Sequence, residues 1–168
     1  MKYQIPKENT EALRIIYKRL LGKGISWTIV GSTALAIHGV DIKAKDIDIQ
    51  TSRENADKMI GLLKEFVVEP MHHKSDGQFK SYYGKLMING VGIELMADLE
   101  KMVDGKWVMI ESPRMRMVKR YDNITIQVFD LRDEYEAYVK IGQIEKAQKI
   151  KERLDEENRP SHRTTRAS

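Results

Sequence analysis

The chain has 168 residues, of which 41% are hydrophobic and 32% charged, so it carries apolar material for one core and shows no compositional break that would mark a second domain. It has no cysteine, which excludes disulfides and thiolate metal sites and leaves the oxygen or imidazole ligands that suit Mg²⁺ or Mn²⁺. The formal net charge of +4 permits contact with phosphates or nucleic acid, but the final residues supply much of the excess.

The two ends of the chain indicate its compartment and domain limits. Residues 1–20 carry charges throughout and lack the apolar segment of a signal peptide, and no later stretch is apolar for long enough to cross a bilayer. We therefore expect a soluble cytoplasmic protein, without membrane contact, whose single domain covers residues 1–158. Residues 159–168 contain one alanine as their only apolar residue, which predicts a disordered basic tail.

The first half of the chain predicts helices and strands in alternation. A helix capped by Asn9 or Thr10 ends before Gly22, and a buried strand over residues 25–30 ends abruptly at Gly31-Ser32. The next elements are a short helix over 33–38, a strand over 46–51 with strict alternation, and a helix that begins at Ser52 and ends before Pro70.

The second half predicts antiparallel strands and then a helix. After a loop over 71–77, strands over 79–88 and 91–97 are joined by Asn89-Gly90, a strong hairpin signal that would pair Lys85 with Glu94. The remaining elements are strands over 106–110 (after Asp104-Gly105), 115–119 and 124–129, and one long charged helix from Asp130 to about Leu154. This order predicts an α+β fold with a mixed central sheet flanked by helices, additional antiparallel hairpin strands and a C-terminal helix.

A glycine and a serine mark the junction between the first strand and the short helix. Backbone N–H groups at a helix start are free and partly positive, and Gly31 would let a phosphate approach them closely. Ser32 could donate its hydroxyl to that phosphate, or it could simply cap the helix. The Gly-Ser pair alone does not decide between these two interpretations.

Two aspartates lie two residues apart at the second predicted strand. Asp46 and Asp48 project from one face, whereas Ile47 and Ile49 face the core. Unpaired carboxylates repel by roughly 1 kcal/mol at about 4 Å in water, and by more in less polar surroundings, so the pair favours a bound cation. The alternative is a solvent-exposed strand face without a ligand.

Glu94 is an isolated acid in the otherwise apolar strand segment Gly92–Met96, and Asp98 follows near its end. An acid in such a segment needs a reason, because burying a charge is costly. It could be a third metal ligand or the base that accepts a proton from an attacking hydroxyl, or it could pair with Lys85 across the hairpin. Either Glu94 or Asp98 could supply the third carboxylate.

Taken together, these features resemble a known superfamily. Within residues 25–51 (ISWTIVGSTALAIHGVDIKAKDIDIQT), Gly-Ser is followed after thirteen residues by Asp-Ile-Asp, and a strand acid comes later. Over roughly its first 100 residues the chain resembles minimal nucleotidyltransferase-like proteins of bacteria and archaea, in the DNA polymerase β-type nucleotidyltransferase superfamily. Antibiotic nucleotidyltransferases and toxins of toxin–antitoxin pairs are among the relatives. The resemblance implies the nucleotidyltransferase fold and metal-dependent transfer of a nucleoside monophosphate from a nucleoside triphosphate to an acceptor hydroxyl.

The resemblance also implies roles for individual residues. Gly31 and Ser32 would contact the triphosphate. Asp46, Asp48 and Glu94 would be the catalytic carboxylates and would hold two Mg²⁺ or Mn²⁺ ions, with pyrophosphate as the leaving group.

Basic residues supply further candidates. Where many relatives read Arg-x-Thr-x-Asp, this chain has Lys43-Ala44-Lys45-Asp46, so Lys43 and Lys45 become candidate phosphate contacts. The closing helix, with Glu134, Tyr138 and Lys140, resembles the terminal helix of such proteins, and Lys140 is a further candidate there.

Other functions and partners remain open from the sequence. The same fold could serve as a non-catalytic nucleotide- or RNA-binding module, or as a toxin that modifies tRNA or a protein. The acceptor could be RNA, a small molecule or a protein, and because the domain is small, a homodimer or a partner subunit could complete the site. His38, His72 and His73 lack the spacing of a helical metal pair, so a histidine metal site is not predicted.

Overall fold

The computed structural model describes residues 5–110 and 116–160. The helices are α1 (Lys7–Leu20), α2 (Gly31–Ile37), α3 (Arg53–Leu62), α4 (Leu131–Lys140) and α5 (Ile144–Glu157), with a 3-10 turn at Lys64–Phe66. The strands are β1 (Thr28–Val30), β2 (Ile47–Thr51), β3 (Val67–Ser75), β4 (Phe79–Ile88), β5 (Val91–Val103), β6 (Lys106–Met109), β7 (Arg116–Tyr121) and β8 (Ile124–Phe129). The predicted tail, from residue 161 onward, and the start of the strand predicted over 115–119 lie outside the described residues.

One mixed sheet contains the eight strands of the described residues. Their order is β3-β4-β5-β2-β1-β8-β7, and β6 pairs with the far end of β5. The pairs β2–β5 and β1–β8 are parallel and the other pairs are antiparallel. This confirms the predicted mixed sheet with helices against it. The parallel pairing matters most for function, because it brings two segments that are distant in sequence side by side at the centre of the sheet.

The two faces of the sheet are covered differently. The main core lies on the face to which Ile47 and Ile49 point, where the buried residues of α1 and α3 pack against the central strands. On the opposite face a smaller cluster of Leu35, Leu131 and Ile150 joins α2, α4 and α5. Because side chains alternate along β2, Asp48 lies on this second, less completely covered face.

Both predicted hairpins are present. Asn89 (φ 52°) and Gly90 (φ 80°) have the two positive φ angles of a type I′ turn, and Asp104 (φ 49°) and Gly105 (φ 77°) repeat them. The first turn sets the register of β4 on β5, so Lys85 lies opposite Glu94 as predicted.

The helix predicted from Ser52 is shorter than expected. Ser52 caps it by accepting a hydrogen bond from the Asn55 N–H at 3.2 Å, but α3 ends at Leu62 and the 3-10 turn leads into β3. The prediction of a loop over 71–77 is therefore wrong for most of its length. In the described sheet β3 pairs only with β4, so Pro70 lies in an edge strand that tolerates a residue without an N–H.

The single long helix predicted from Asp130 to about Leu154 is also wrong, because it is two helices. Gly142, with a φ of 76°, separates α4 from α5. The N–H of Gly142 donates to the Val139 carbonyl at 3.1 Å and the N–H of Gln143 donates to the Tyr138 carbonyl at 3.0 Å, which closes the end of α4. The chain can therefore turn back over the sheet at this point.

The start of the first helix also differs from prediction. Helix α1 begins at Lys7, after Pro6, so neither Asn9 nor Thr10 is its cap. Proline has a fixed φ and needs no N–H partner, so it suits a helix start. None of the helices in the described part of the chain combines the length and hydrophobicity needed to cross a membrane.

Candidate active site

The centre of the site is a pair of carboxyl groups on adjacent parallel strands. Asp48 on β2 lies directly beside Glu94 on β5 in the register of the sheet. The two side chains are half-buried and share a hydrogen bond between their carboxyl groups. The sequence predicted both acids, and the parallel pairing explains why they meet although they belong to distant segments.

Asp46 lies two residues before Asp48, immediately before the first residue of β2, and its side chain is exposed. Its side chain rests against Gly92, where an added Cβ would lie 3.1 Å from Asp46 Oδ1. Lys85 Nζ lies 3.9 Å from Asp46 Oδ2 and also faces Glu94 across the hairpin. Glu94, for which pairing with Lys85 was one of the two alternatives, is thus part of a cluster of three carboxylates and one lysine.

Gly31 forms a wall of the site. Its φ is +67°, a conformation that favours glycine, and a Cβ added there would overlap Asp48 Oδ2. Val30, not Ser32, is the N-cap residue of α2, and no side chain accepts a hydrogen bond as its cap. A side chain at position 31 would therefore displace the central aspartate.

Ser32 has a different partner from the one that the capping interpretation requires. Its Oγ accepts a hydrogen bond from the Lys45 N–H at 3.1 Å, which leaves the hydroxyl proton free to donate elsewhere. Thr33 donates to the Asp46 carbonyl at 3.1 Å, and Asn9 donates to the Lys45 carbonyl. These bonds fix the segment before β2, and with it the position of Asp46.

A tyrosine that the sequence analysis did not select holds Glu94 in place. Tyr83, buried on β4, donates its hydroxyl to Glu94 Oε1 at 2.6 Å. The ammonium group of Lys74 lies 3.8 Å from the centre of the Tyr83 ring. The signal was present in the hairpin, because the register that pairs Lys85 with Glu94 also puts position 83 within diagonal reach of Glu94.

The two contacting carboxyl groups titrate differently. Burial, the hydrogen bond to Glu94, and the charges of Glu94 and Asp46 raise the pKa of Asp48 from 3.8 to about 7. Burial would raise the pKa of Glu94 too, but hydrogen bonds with Tyr83 and Asp48 and the nearby charges of Lys85 and Lys74 hold it below its usual range. Asp48 therefore binds a proton near neutral pH, and a cation would compete with that proton.

The donor set suits a divalent cation shared with a phosphate. Among the described residues no three acidic or histidine side chains already form a closed metal cage. Mg²⁺ seldom needs one, since proteins commonly hold it with one or two carboxylates and complete its shell with water and substrate phosphates. The crowded pair Asp48 and Glu94, with Asp46 on the same face, fits that arrangement.

Known proteins resemble this chain over nearly its whole length. The model of the aminoglycoside-2''-adenylyltransferase family matches residues 12–155. The chain belongs to this family. A solved structure from Thermotoga maritima, described as a candidate nucleotidyltransferase, is 33% identical, with a TM-score of 0.80 over 92% of this chain and 97% of that one.

Two antibiotic adenylyltransferases share the fold at much lower identity. The ANT(2")-Ia structure in complex with adenylyl-2"-tobramycin is 12% identical, with a TM-score of 0.56 over 89% of this chain and 91% of that one. The lincosamide antibiotic adenylyltransferase LnuA, bound to lincomycin, is 11% identical, with a TM-score of 0.55 over 87% and 96%. Among curated proteins, none matches significantly. Family and fold together identify the chain as a nucleotidyltransferase enzyme.

Several candidate residues of this family member lie apart from the carboxylate pair. Asp98, the other candidate for the third carboxylate, lies on β5. Its side chain accepts a hydrogen bond from the Arg53 N–H at 3.2 Å, so its carboxylate lies at the N-terminal end of α3. Lys43 and Lys45 are exposed in the loop before β2. Lys140 is exposed at the end of α4.

Two histidines have partners away from the carboxylate pair. His38 is buried and hydrogen-bonded to the Phe129 carbonyl through Nε2, at 2.6 Å. His72 pairs with Glu69 at 2.6 Å on the edge strand.

Beside the carboxylates lies a cavity that sequence reasoning did not identify. It has a volume of about 450 Å³ and extends from Gly31 between the sheet and α4, with Gln50 and Met96 on the sheet side. Glu134 and Tyr138 of α4 form part of the opposite wall. The sequence analysis placed both residues on the closing helix, but it could not show that α4 folds back over β2.

Proposed function

We propose that this protein transfers a nucleoside monophosphate from a nucleoside triphosphate to an acceptor hydroxyl, with a divalent cation. One observation carries the proposal: the carboxyl group of Asp48 lies against Gly31 and contacts the carboxyl group of Glu94, on the face that Asp46 shares. A purely structural site would gain nothing from placing the carboxyl group of Asp48 against that of Glu94, since two partly buried acids in contact repel each other unless one is protonated or a cation is bound.

Asp46, Asp48 and Glu94 would hold the cation, Mg²⁺ or Mn²⁺. When bound, such a cation neutralises charge on the phosphates and lowers the pKa of a coordinated hydroxyl. Gly31 brings the α2 backbone close to Asp48, so phosphates could approach both the backbone N–H groups and the carboxylates. The free proton of the Ser32 hydroxyl can be donated to a phosphate oxygen, and the exposed ammonium groups of Lys43 and Lys45 are within the same loop region.

The reaction is an in-line displacement at the α-phosphorus. The acceptor oxygen forms a bond to this phosphorus, the bond to the bridging oxygen of the β-phosphate breaks, and pyrophosphate leaves. Glu94 is the group that we propose takes the acceptor's proton, because its lowered pKa keeps it ionised at neutral pH and Tyr83 orients it. The names of the family and of its antibiotic-bound relatives favour a small hydroxyl-bearing molecule as acceptor.

Calorimetric titration of ATP, GTP, CTP and UTP in the presence of Mg²⁺ or Mn²⁺ tests the proposal. We expect metal-dependent binding to the wild-type protein and its loss in the Asp46→Asn/Asp48→Asn double variant, which keeps the size of both side chains. Transfer is then measured as pyrophosphate released in the presence of candidate acceptors.

The matched control is Asp57→Asn/Asp155→Asn, which removes the same charge from two exposed helical positions. It should bind as the wild type does. Metal-dependent binding that survives in the Asp46→Asn/Asp48→Asn variant would overturn the proposed site. Binding without pyrophosphate release under any acceptor would favour a nucleotide-binding module instead.

A further inference from the structure

The cavity next to the carboxylate pair has the lining of a site for a flat ring. Its apolar wall includes Phe79, Met96 and Phe129, and Tyr138 adds a further aromatic ring. Aromatic and thioether side chains favour contact with planar, polarisable rings. The volume of about 450 Å³ lies in the range of small-molecule pockets.

One charged group inside this cavity lacks a partner. Glu134 is 7% exposed and lines the cavity, yet no hydrogen bond or ion pair within the described residues reaches its carboxyl group. Buried carboxyl groups are normally paired, because leaving one unsatisfied costs free energy. Burial, Asp133 and Asp48 raise its pKa to about 7, as expected of an acid held in apolar surroundings.

The position of the cavity indicates which part of a ligand would fill it. Gly31 is both a wall of the cavity and the residue that overlies Asp48. A nucleoside triphosphate whose phosphates lie at Gly31 and Asp48 must place its nucleoside within a few bond lengths of them. The cavity begins there and continues along β2 to Gln50, away from the Tyr83 and Lys85 side of Glu94.

We propose that this cavity holds the base of the nucleoside triphosphate and that Glu134 hydrogen-bonds the amino-bearing edge of that base. The proposal rests on the proposed function and names the residue that reads the base. Adenine, guanine and cytosine each offer exocyclic N–H donors to a carboxyl group, whereas hypoxanthine and uracil offer no amino group. An acceptor molecule would then approach Glu94 from the side of Tyr83 and Lys85.

The test uses pairs of nucleotides that differ by one amino group. GTP is compared with inosine triphosphate, and ATP with purine riboside triphosphate, by calorimetry with Mg²⁺ on the wild-type protein and on Glu134→Met. For at least one pair we expect the wild type to bind the amino-bearing nucleotide about 10-fold more tightly. Methionine fills a similar volume without accepting a hydrogen bond, so that preference should vanish in Glu134→Met.

Two comparisons separate this inference from a loss of the phosphate site. Inorganic tripolyphosphate with Mg²⁺ has no base, so it should bind the wild type and Glu134→Met equally well. Ala137→Phe, which adds a ring at the cavity wall, should weaken nucleotide binding while leaving tripolyphosphate binding unchanged. Glu136→Met, an exposed position on the same helix, is the matched control and should behave as the wild type.

Each failure has its own meaning. Metal-dependent nucleotide binding that ignores the amino group in both pairs would overturn the inference and leave the proposed function standing. The same conclusion would follow if the preference for the amino-bearing nucleotide persisted in Glu134→Met, or if the only defect of Glu134→Met were in its use of the acceptor. If the wild-type protein shows no metal-dependent nucleotide binding, that result contradicts the proposed function and also the inference that rests on it.

Discussion

Glu134 shows how a binding residue can lower the stability of the chain that carries it. Its pKa is about 7 in the folded protein against 4.5 for an ordinary glutamate. The folded state therefore binds the proton more tightly than the unfolded state, so the free energy of unfolding falls as pH rises from about 4.5 to 7. The groups that face Glu134 are Asp133 on α4 and Asp48 on β2, with Lys146 of α5 at the same cavity.

Glu134→Met should therefore stabilise the protein above pH 7. Relative to the wild type, we expect its free energy of unfolding to gain up to about 3 kcal/mol between pH 4.5 and pH 8, because the carboxylate no longer has to be buried. Urea denaturation at both pH values measures this. Asp48 titrates in both proteins, so the comparison isolates Glu134 together with its coupling to Asp48. A difference that does not change with pH would show that Glu134 is not held in the apolar environment described above.

A second prediction concerns Gly31. It separates the effect of steric overlap with Asp48 from the effect of the positive φ angle. Gly31→Ala should cost about 1 kcal/mol or more from the positive φ, and should in addition push Asp48 out of place and abolish metal-dependent nucleotide binding. Gly22 also has a positive φ, of 73°, but an added Cβ meets nothing within 4 Å. Gly22→Ala should thus lose similar stability and bind nucleotide normally, and equal binding by the two variants would contradict the role given to Gly31.

At the scale of elements, two helix caps allow a matched comparison. Asp130 caps α4 by accepting a hydrogen bond from the Arg132 N–H at 2.9 Å, and Ser52 caps α3 in the same way from Asn55. Replacing either by alanine should cost about 1 kcal/mol in thermal or urea unfolding. Only Asp130→Ala should also weaken nucleotide binding, because α4 forms a wall of the cavity whereas α3 covers the other face of the sheet. Equal effects on binding would contradict that placement.

The predicted and observed elements, compared one by one, show which parts of this fold can be predicted from the sequence. Hairpins were predicted correctly, because Asn89-Gly90 and Asp104-Gly105 adopt their turn conformation for local reasons. The edge strand β3 was missed because Val67 continues the helical spacing of α3 and because Pro70 was interpreted as the residue before which that helix ends. The break at Gly142 was missed because the charged, amphipathic pattern is similar on both sides of it.

The candidate site shows the same difference between features with a local sequence signal and features that depend on the tertiary structure. The sequence analysis selected four residues because each differs in type from its neighbours. Gly31 is a glycine at the start of a helix, and Asp46, Asp48 and Glu94 are acids in or next to apolar strands. Their meeting at one point, however, depends on the parallel pairing of β2 and β5, which no local signal specifies. Glu134 was named only as part of a closing helix that resembles the terminal helix of related proteins, and its burial follows from the return of α4 over the sheet.

On the scale of the whole molecule, the sheet separates stability from binding. The larger core joins α1 and α3 to the face of Ile49, whereas the carboxylates and the cavity lie on the opposite face with α2, α4 and α5. The second face has a smaller buried cluster, so its helices have less apolar contact to hold them. This is the arrangement expected where a ligand contributes part of the packing.

Hydrogen exchange measured by mass spectrometry should reveal this asymmetry. On adding Mg²⁺ with a nucleoside triphosphate, we expect amides of α2, α4 and the turn around Gly142 to exchange more slowly, because the ligand bridges these helices to the sheet. Any ligand that binds only the folded state slows exchange through global unfolding everywhere, so the informative amides are those that exchange by local opening. Among these, α1 and α3 serve as internal controls and should keep their rates. Slowing that is equal on the two faces, or confined to α1 and α3, would place the nucleotide on the wrong side of the sheet for Asp48 and Glu134 to reach it.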